Sequence, residues 1–154
     1  MDDWWVMLPD SRAAAAVAAR LGREGVRRVP HASGRPWLVG RWDARQEVSA
    51  RAGEARVVVL GRSTARAGTL RRRIERVRLP AEAERAVSGL AGSFHVLASV
   101  GGRVWARGTA SAVCRVFTTH RRGTGGVTAP MCWPRCRARI RIRRRWPCGS
   151  CTRR

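Results

Sequence analysis

Four of the five cysteines stand near the end of the chain, as Cys132-x3-Cys136 and Cys148-x2-Cys151. Thiolates in two close pairs are what a structural zinc ion takes, and the stretch between the pairs is long enough to fold back around one tetrahedral metal. Arg135, Arg137, Arg139, Arg141 and Arg143 to Arg145 lie among them, with Trp133 and Trp146 as candidate base-stacking platforms. Together they outline a nucleic-acid-binding knuckle. Against it, the first pair lacks the usual x2 spacing, Pro134 and Pro147 interrupt the segment, and no apolar residue is set to pack a mini-core. A small Arg-rich nucleic-acid-binding protein whose tail binds zinc through four cysteines stays as the alternative reading.

The other chemistry-bearing residues are scattered. His31 sits beside Pro30, His95 alternates outward from Phe94 and Val96, and His120 falls where the pattern breaks, so each reads as a surface or turn residue. Cys114 lies in an apolar run and reads as a small core residue rather than a nucleophile. "GTGG" (Gly123 to Gly126) is Gly-rich, but no buried strand of the right kind precedes it, and it reads as a loop. Trp4, Trp5, Trp37, Trp42 and Trp105 read as core or inter-domain contacts. No catalytic, cofactor-binding or metal residue is assigned.

The elements that would position such residues are legible up to about Thr118. "WWVML" (Trp4 to Leu8) reads as a buried strand stopped by Pro9 and Asp10. Ser11 then caps a helix through "RAAAAVAARLGREG", with Gly22 or Gly25 at its end. "RPWLVGRW" (Arg35 to Trp42) and "ARVVVLG" (Ala55 to Gly61) read as strands. Two short helices fit between Thr64 and Leu90, the first marked by Leu70, Ile74 and Val77 and the second opened by Pro80. Phe94, Val96, Ala98 and Val100 alternate, Gly101-Gly102 supplies a tight hairpin turn, and the strand resumes at Val104. A further strand from Ala112 to Thr118 would complete an antiparallel meander.

With 154 residues, 44% of them apolar, the chain suits one domain with a real core. Its 32 basic residues are all arginine and face 10 acids, for a net charge of +22. Such a balance points to nucleic acid. Every acid lies between Asp2 and Glu84, however, and the absence of Lys beside abundant Ala, Gly and Val marks GC-rich coding DNA as one source of the charge. No run approaches the roughly 18 apolar residues of a membrane span. The acidic N-terminus "MDDWWVMLPD" is not a secretory signal, so a cytoplasmic location is expected. An odd number of Cys, crowded into the tail, does not describe a disulfide-stapled secreted domain.

After Thr119 "HRRGTGGVTAP" is loop-like and the tail has neither helical nor strand periodicity. In GC-rich codons, Val127 to Cys136 can be written GTG ACC GCG CCG ATG TGC TGG CCG CGC TGC. Read from the last G of the first codon, the same bases give GAC CGC GCC GAT GTG CTG GCC GCG CTG, or "DRADVLAAL", an acid-containing amphipathic helix start. A frame change between Thr119 and Val127 would account at once for the Arg, Cys, Trp and Pro enrichment, the missing acids and the missing period. The expected organisation is a domain over 1–119 and an Arg/Cys-rich, unstructured and out-of-frame tail over 120–154.

"LPDS", "HASGRPWLVGRW", "VVVLGR" and above all "LAGSFHVLASVGGRVWARGTASAVCRVF" resemble the N-terminal region of the asparagine-synthetase-related lasso peptide cyclases, over most of the chain up to about Thr118. In that family "DRADVLAAL" is the sort of segment that comes next. The resemblance implies an α+β fold of the N-terminal-nucleophile type, like a class II glutamine amidotransferase: stacked antiparallel sheets with flanking helices, here incomplete. In an active glutaminase of this type the nucleophile is a Cys exposed after Met removal, its own α-amine serving as base. Asp2 holds that position here, so the resemblance implies a pseudoenzyme domain.

A full-length relative would use ATP and Mg²⁺ to adenylate a side-chain carboxylate of a precursor peptide, and the peptide's N-terminal amine would close a macrolactam. The Ser-Gly-Gly-x-Asp-Ser type of pyrophosphate loop that this needs is not in the sequence. The expectation is a truncated, catalytically incompetent N-terminal domain that binds no cofactor. Its expected partners are a synthetase domain or precursor peptide, with nonspecific nucleic-acid binding open to the Arg-rich tail and no membrane partner.

Overall fold

The computed structural model describes residues 4–22 and 24–108, and the backbone of 114–121 and 125–132. In chain order the elements are β1 (Trp4–Met7), α1 (Arg12–Leu21), β2 (Arg27–Pro30), β3 (Pro36–Arg41), β4 (Glu47–Ala52), β5 (Ala55–Ser63), α2 (Ala67–Ile74), α3 (Ala83–Ala86), β6 (Gly92–Val100), β7 (Arg103–Arg107), β8 (Cys114–Arg121) and β9 (Gly125–Cys132). They form two antiparallel sheets, one of order β2-β3-β1-β9-β8 and one of order β4-β5-β6-β7. The protein is α+β, with few and short helices.

Side-chain alternation sorts the apolar residues into three layers. Val6, Leu8 and Val39 of the first sheet pack against Ala14 and Ala18 of α1. Trp5, Met7, Val29, Leu38 and Trp42 point the other way and, with Trp37, meet Val58, Leu60 and Leu97 of the second sheet. On that sheet's far side Val57, Val59, Val96 and Ala98 pack against Leu70, Ile74, Ala83 and Ala86 of α2 and α3. The order is therefore helix, sheet, sheet, helices. β5 and β6 are buried on both faces, which is why "VVVL" and "VLASV" read as near-continuous apolar runs.

Local chemistry sets the helix ends. The Ser11 Oγ accepts the Ala14 N–H at 3.1 Å, satisfying one orphan donor of α1, and the small Ala14 and Ala18 let the helix lie close on the sheet. α1 stops at Leu21 with the Gly22 N–H bonded to the Ala19 carbonyl. Leu70 and Ile74, one turn apart, anchor α2. Before α3, the Glu82 carboxylate accepts the N–H groups of Arg78 and Leu79 at 2.7 and 3.0 Å, which holds its pKa below the usual 4.5.

The Gly101-Gly102 turn joins β6 to β7 with φ values of 53° and 76°, as the alternation predicts. Three features differ from the sequence reading. β2 and β4 are strands that the sequence reading lacks, one charged and the other an edge strand of weak pattern. β8 does not extend the meander beside β7 but crosses to the first sheet, where it pairs with β9. Gly125 to Pro130, read as loop, lies within β9, which touches β1 through Met7 and Thr128.

Candidate functional site

Among the described residues, those that sequence reasoning weighed do not gather at one site. Asp2, Cys136, Cys148 and Cys151 lie outside the described residues. Cys114 starts β8 and Cys132 ends β9, and the register sets them opposite each other, so Cys132 is partnered in the ladder by the one cysteine the zinc reading leaves out. Gly125 and Gly126 stand in the β8–β9 ladder opposite Arg121 and His120. Backbone in a sheet ladder does not form the curled nest of N–H groups that cradles a pyrophosphate, and Gly125 and Gly126 lie in such a ladder. Among the described residues no group of three or more His, Cys, Asp or Glu could hold a metal ion.

The histidines depart most from expectation, because His31 and His95 are buried and not at the surface. Outward from α2 and α3 on β6 means inward toward the first sheet, so the face carrying His95, Leu97 and Ser99 is the inter-sheet face. His95 sits edge-on to Trp5 with ring centroids 5.6 Å apart. Its Nδ1 has no hydrogen-bond partner among the described residues, and neither has the Trp37 Nε1. Desolvation pushes the His95 pKa below its ordinary 6.5.

His31 is the hub of a polar cluster between the sheets. Its Nδ1 lies 2.7 Å from the Ser99 Oγ and its Nε2 3.0 Å from the Leu8 carbonyl oxygen. A carbonyl only accepts, so Nε2 carries the proton, and Nδ1 of the neutral ring accepts a hydrogen bond from the Ser99 hydroxyl. Desolvation lowers the His31 pKa, against the opposing effects of Asp10 and the local backbone. Asp10 bonds Arg35 at 2.9 Å beside the cluster. Burial pushes the Asp10 carboxyl up, but hydrogen bonds from Arg35 and Ser33 outweigh it and hold the pKa below 3.8.

A Ser–His pair with an Asp nearby is the parts set of a hydrolase, and the geometry argues against that use. Ser99 is 0% and His31 1% exposed, and the Nε2 proton is committed to a main-chain carbonyl, so no substrate reaches the hydroxyl. The cluster instead ties β6 of one sheet to the loop after β2 of the other. At the opposite end of β2, the Glu47 carboxylate accepts Arg27 Nη2 at 2.8 Å and Trp42 Nε1 at 2.9 Å, a second tie between the sheets.

The described residues line surface grooves, two of which stand out. One of about 670 Å³ runs past the β4–β5 and β6–β7 turns, with Ala55, Val77 and Val100 within it and Glu54, Glu75 and Arg103 around it. The other, of about 970 Å³, follows the segment from Leu79 to Leu90 across Phe94 and Val96. Neither contains a nucleophile paired with a base. No helix among the described residues is long and apolar enough to cross a membrane. Comparison with family models, with curated proteins and with solved structures finds no match to this chain.

Proposed function

We propose that this chain is the amidotransferase-like N-terminal domain of the lasso peptide cyclase family, with the N-terminal-nucleophile type of fold but without glutaminase or ligase activity of its own. The observation that carries the reading is the layer order: two antiparallel sheets stacked face to face with helices on both outer sides. The segment Gly92 to Phe117, which bears the strongest resemblance, supplies β6, β7 and the first part of β8. Asp2 supports the loss of glutaminase activity, because a carboxylate at that position has neither the nucleophilicity of a thiol nor a proton for the α-amine to remove. In this reading the domain is a scaffold, and adenylation and macrolactam closure belong to a synthetase domain encoded beyond the frame change.

Two measurements test the proposal. The purified full chain incubated with glutamine is expected to release no ammonia above the blank, and ammonia release would overturn the pseudoenzyme assignment. The coding DNA from Ala112 onward is expected to carry "DRADVLAAL" in an overlapping frame that continues into a synthetase. A gene without that frame sinks the cyclase reading.

A further inference from the structure

Between Ala55 and Ala81 the chain carries eight arginines and one acid, Glu75. Three of the arginines have structural work: Arg56 donates to the Gly53 carbonyl, Arg73 to the Ala86 and Ser88 carbonyls and Arg78 to the Glu75 carbonyl. Arg66, Arg71, Arg72 and Arg76 are exposed and make no side-chain hydrogen bond or ion pair among the described residues. All four lie on or beside α2.

Local stability does not account for this grouping. Cations in the last turn suit the helix dipole, which explains Arg71 to Arg73 in part. Arg66 at the N-cap faces the positive end of the same dipole, and α2 has no acid in its first turn. Arg72 and Arg76, four residues apart, repel each other, and Arg71 precedes Glu75 in the less favourable order for a helical ion pair. The face opposite buried Leu70 and Ile74 is formed by Gly68 and Arg72, with Arg76 just past the helix end, and no described residue lies within 4 Å of where a Gly68 side chain would stand. That face is open and cationic.

We infer that the outer face of α2 binds the phosphodiester backbone of nucleic acid. Guanidinium groups grip phosphate oxygens through two parallel hydrogen bonds, and the unpaired ones of Arg72 on this face, Arg71 at its flank and Arg76 just past the helix end match a polyanion of repeating charge. The face offers no aliphatic or aromatic anchor of the kind that carries the energy of a protein interface, which disfavours an acidic protein. It offers no aromatic ring for base stacking either, so the contact is sequence-independent and salt-sensitive.

The test is binding of the full chain to a fluorescent random-sequence DNA duplex across a salt series. Arg71→Glu/Arg72→Glu/Arg76→Glu is compared with Arg143→Glu/Arg144→Glu/Arg145→Glu, which removes equal charge from the tail. The α2 variant is expected to bind at least about tenfold more weakly and to reduce the slope of log K against log salt by about 3, roughly one per lost phosphate contact. An α2 variant that binds as the parent does, with the loss confined to the tail variant, overturns the inference. So does polyglutamate displacing the duplex at lower charge concentration than unlabelled DNA, which would make an acidic protein the partner. Should the α2 variant lose its folded circular dichroism, ultraviolet crosslinking of the unaltered chain decides: crosslinks within 66–76 support the site, and crosslinks confined to residues beyond 132 reject it.

Discussion

At the residue scale the buried imidazoles govern how the fold responds to acid. Burial holds the pKa of both His31 and His95 below 6.5, so below that pH the unfolded chain binds protons that the folded chain refuses. Stability is complete above about pH 6.5 and falls as pH drops through that value toward the lowered folded pKa, by up to about 1.4 kcal/mol per pH unit for each ring. Urea midpoints between pH 7.5 and 5 should trace this decline. His95→Leu removes a buried nitrogen without a partner and should shallow the acid slope while leaving the midpoint at pH 7.5 equal or higher. Ser99→Ala should cost about 1–3 kcal/mol at pH 7.5, because it leaves the His31 Nδ1 buried without a donor. An unchanged midpoint would mean that the tie between the sheets contributes nothing. None of this is legible in the sequence, since "FHV" fixes only that His95 faces away from Phe94 and Val96. Which of two faces meets water is decided by the second sheet, and a strand's period carries no information about its partner layer.

At the element scale the β6–β7 hairpin is the most legible part of the chain, because both of its signals are local: alternation along the strand and two glycines at the turn. Gly101, at φ 53°, sits in the left-handed region that Asn tolerates and a β-branched residue does not. Gly101→Asn should therefore leave the thermal midpoint nearly unchanged, whereas Gly101→Val should cost about 1–3 kcal/mol. Equal effects would show that the turn relaxes freely. The next strand illustrates the limit of such reading. The apolar pattern places β8 near its observed position, but its partner is β9 of the other sheet, a choice made by inter-strand pairing that no window of sequence contains. β2 and β4 escape sequence reading for a related reason: "RRVP" and "EVSARA" are held as strands by β3 and β5, not by their own propensity.

At the scale of the whole molecule, two opposing electrostatic effects can be separated by salt. Among the described residues only Arg27–Glu47, Arg35–Asp10 and Arg107–Glu84 form ion pairs; the last is exposed on both sides, a kind of pair that contributes about 0–1 kcal/mol, and the other two have exposed arginines on largely buried carboxylates. Against them stands a net charge of +22, whose self-repulsion disfavours any compact state. Salt screens both, over about 30 Å at 0.01 M and about 8 Å at 0.15 M. Repulsion is spread over the whole surface and so is screened heavily, while the Arg27–Glu47 contact is short and its carboxylate is largely buried, so it is screened little. Raising NaCl from about 0.01 to about 0.3 M should therefore stabilise the fold, and each kcal/mol gained should lift the thermal midpoint by about 2–8 °C. A midpoint that falls with salt would mean that attraction among unlike charges outweighs the repulsion. The same repulsion gives the α2 face its physical basis as a ligand site: a bound polyanion relieves strain that the fold itself leaves uncompensated. Duplex DNA should accordingly raise the midpoint most at low salt, with the gain shrinking as NaCl approaches about 0.3 M, and thermal melts with and without the duplex would measure it.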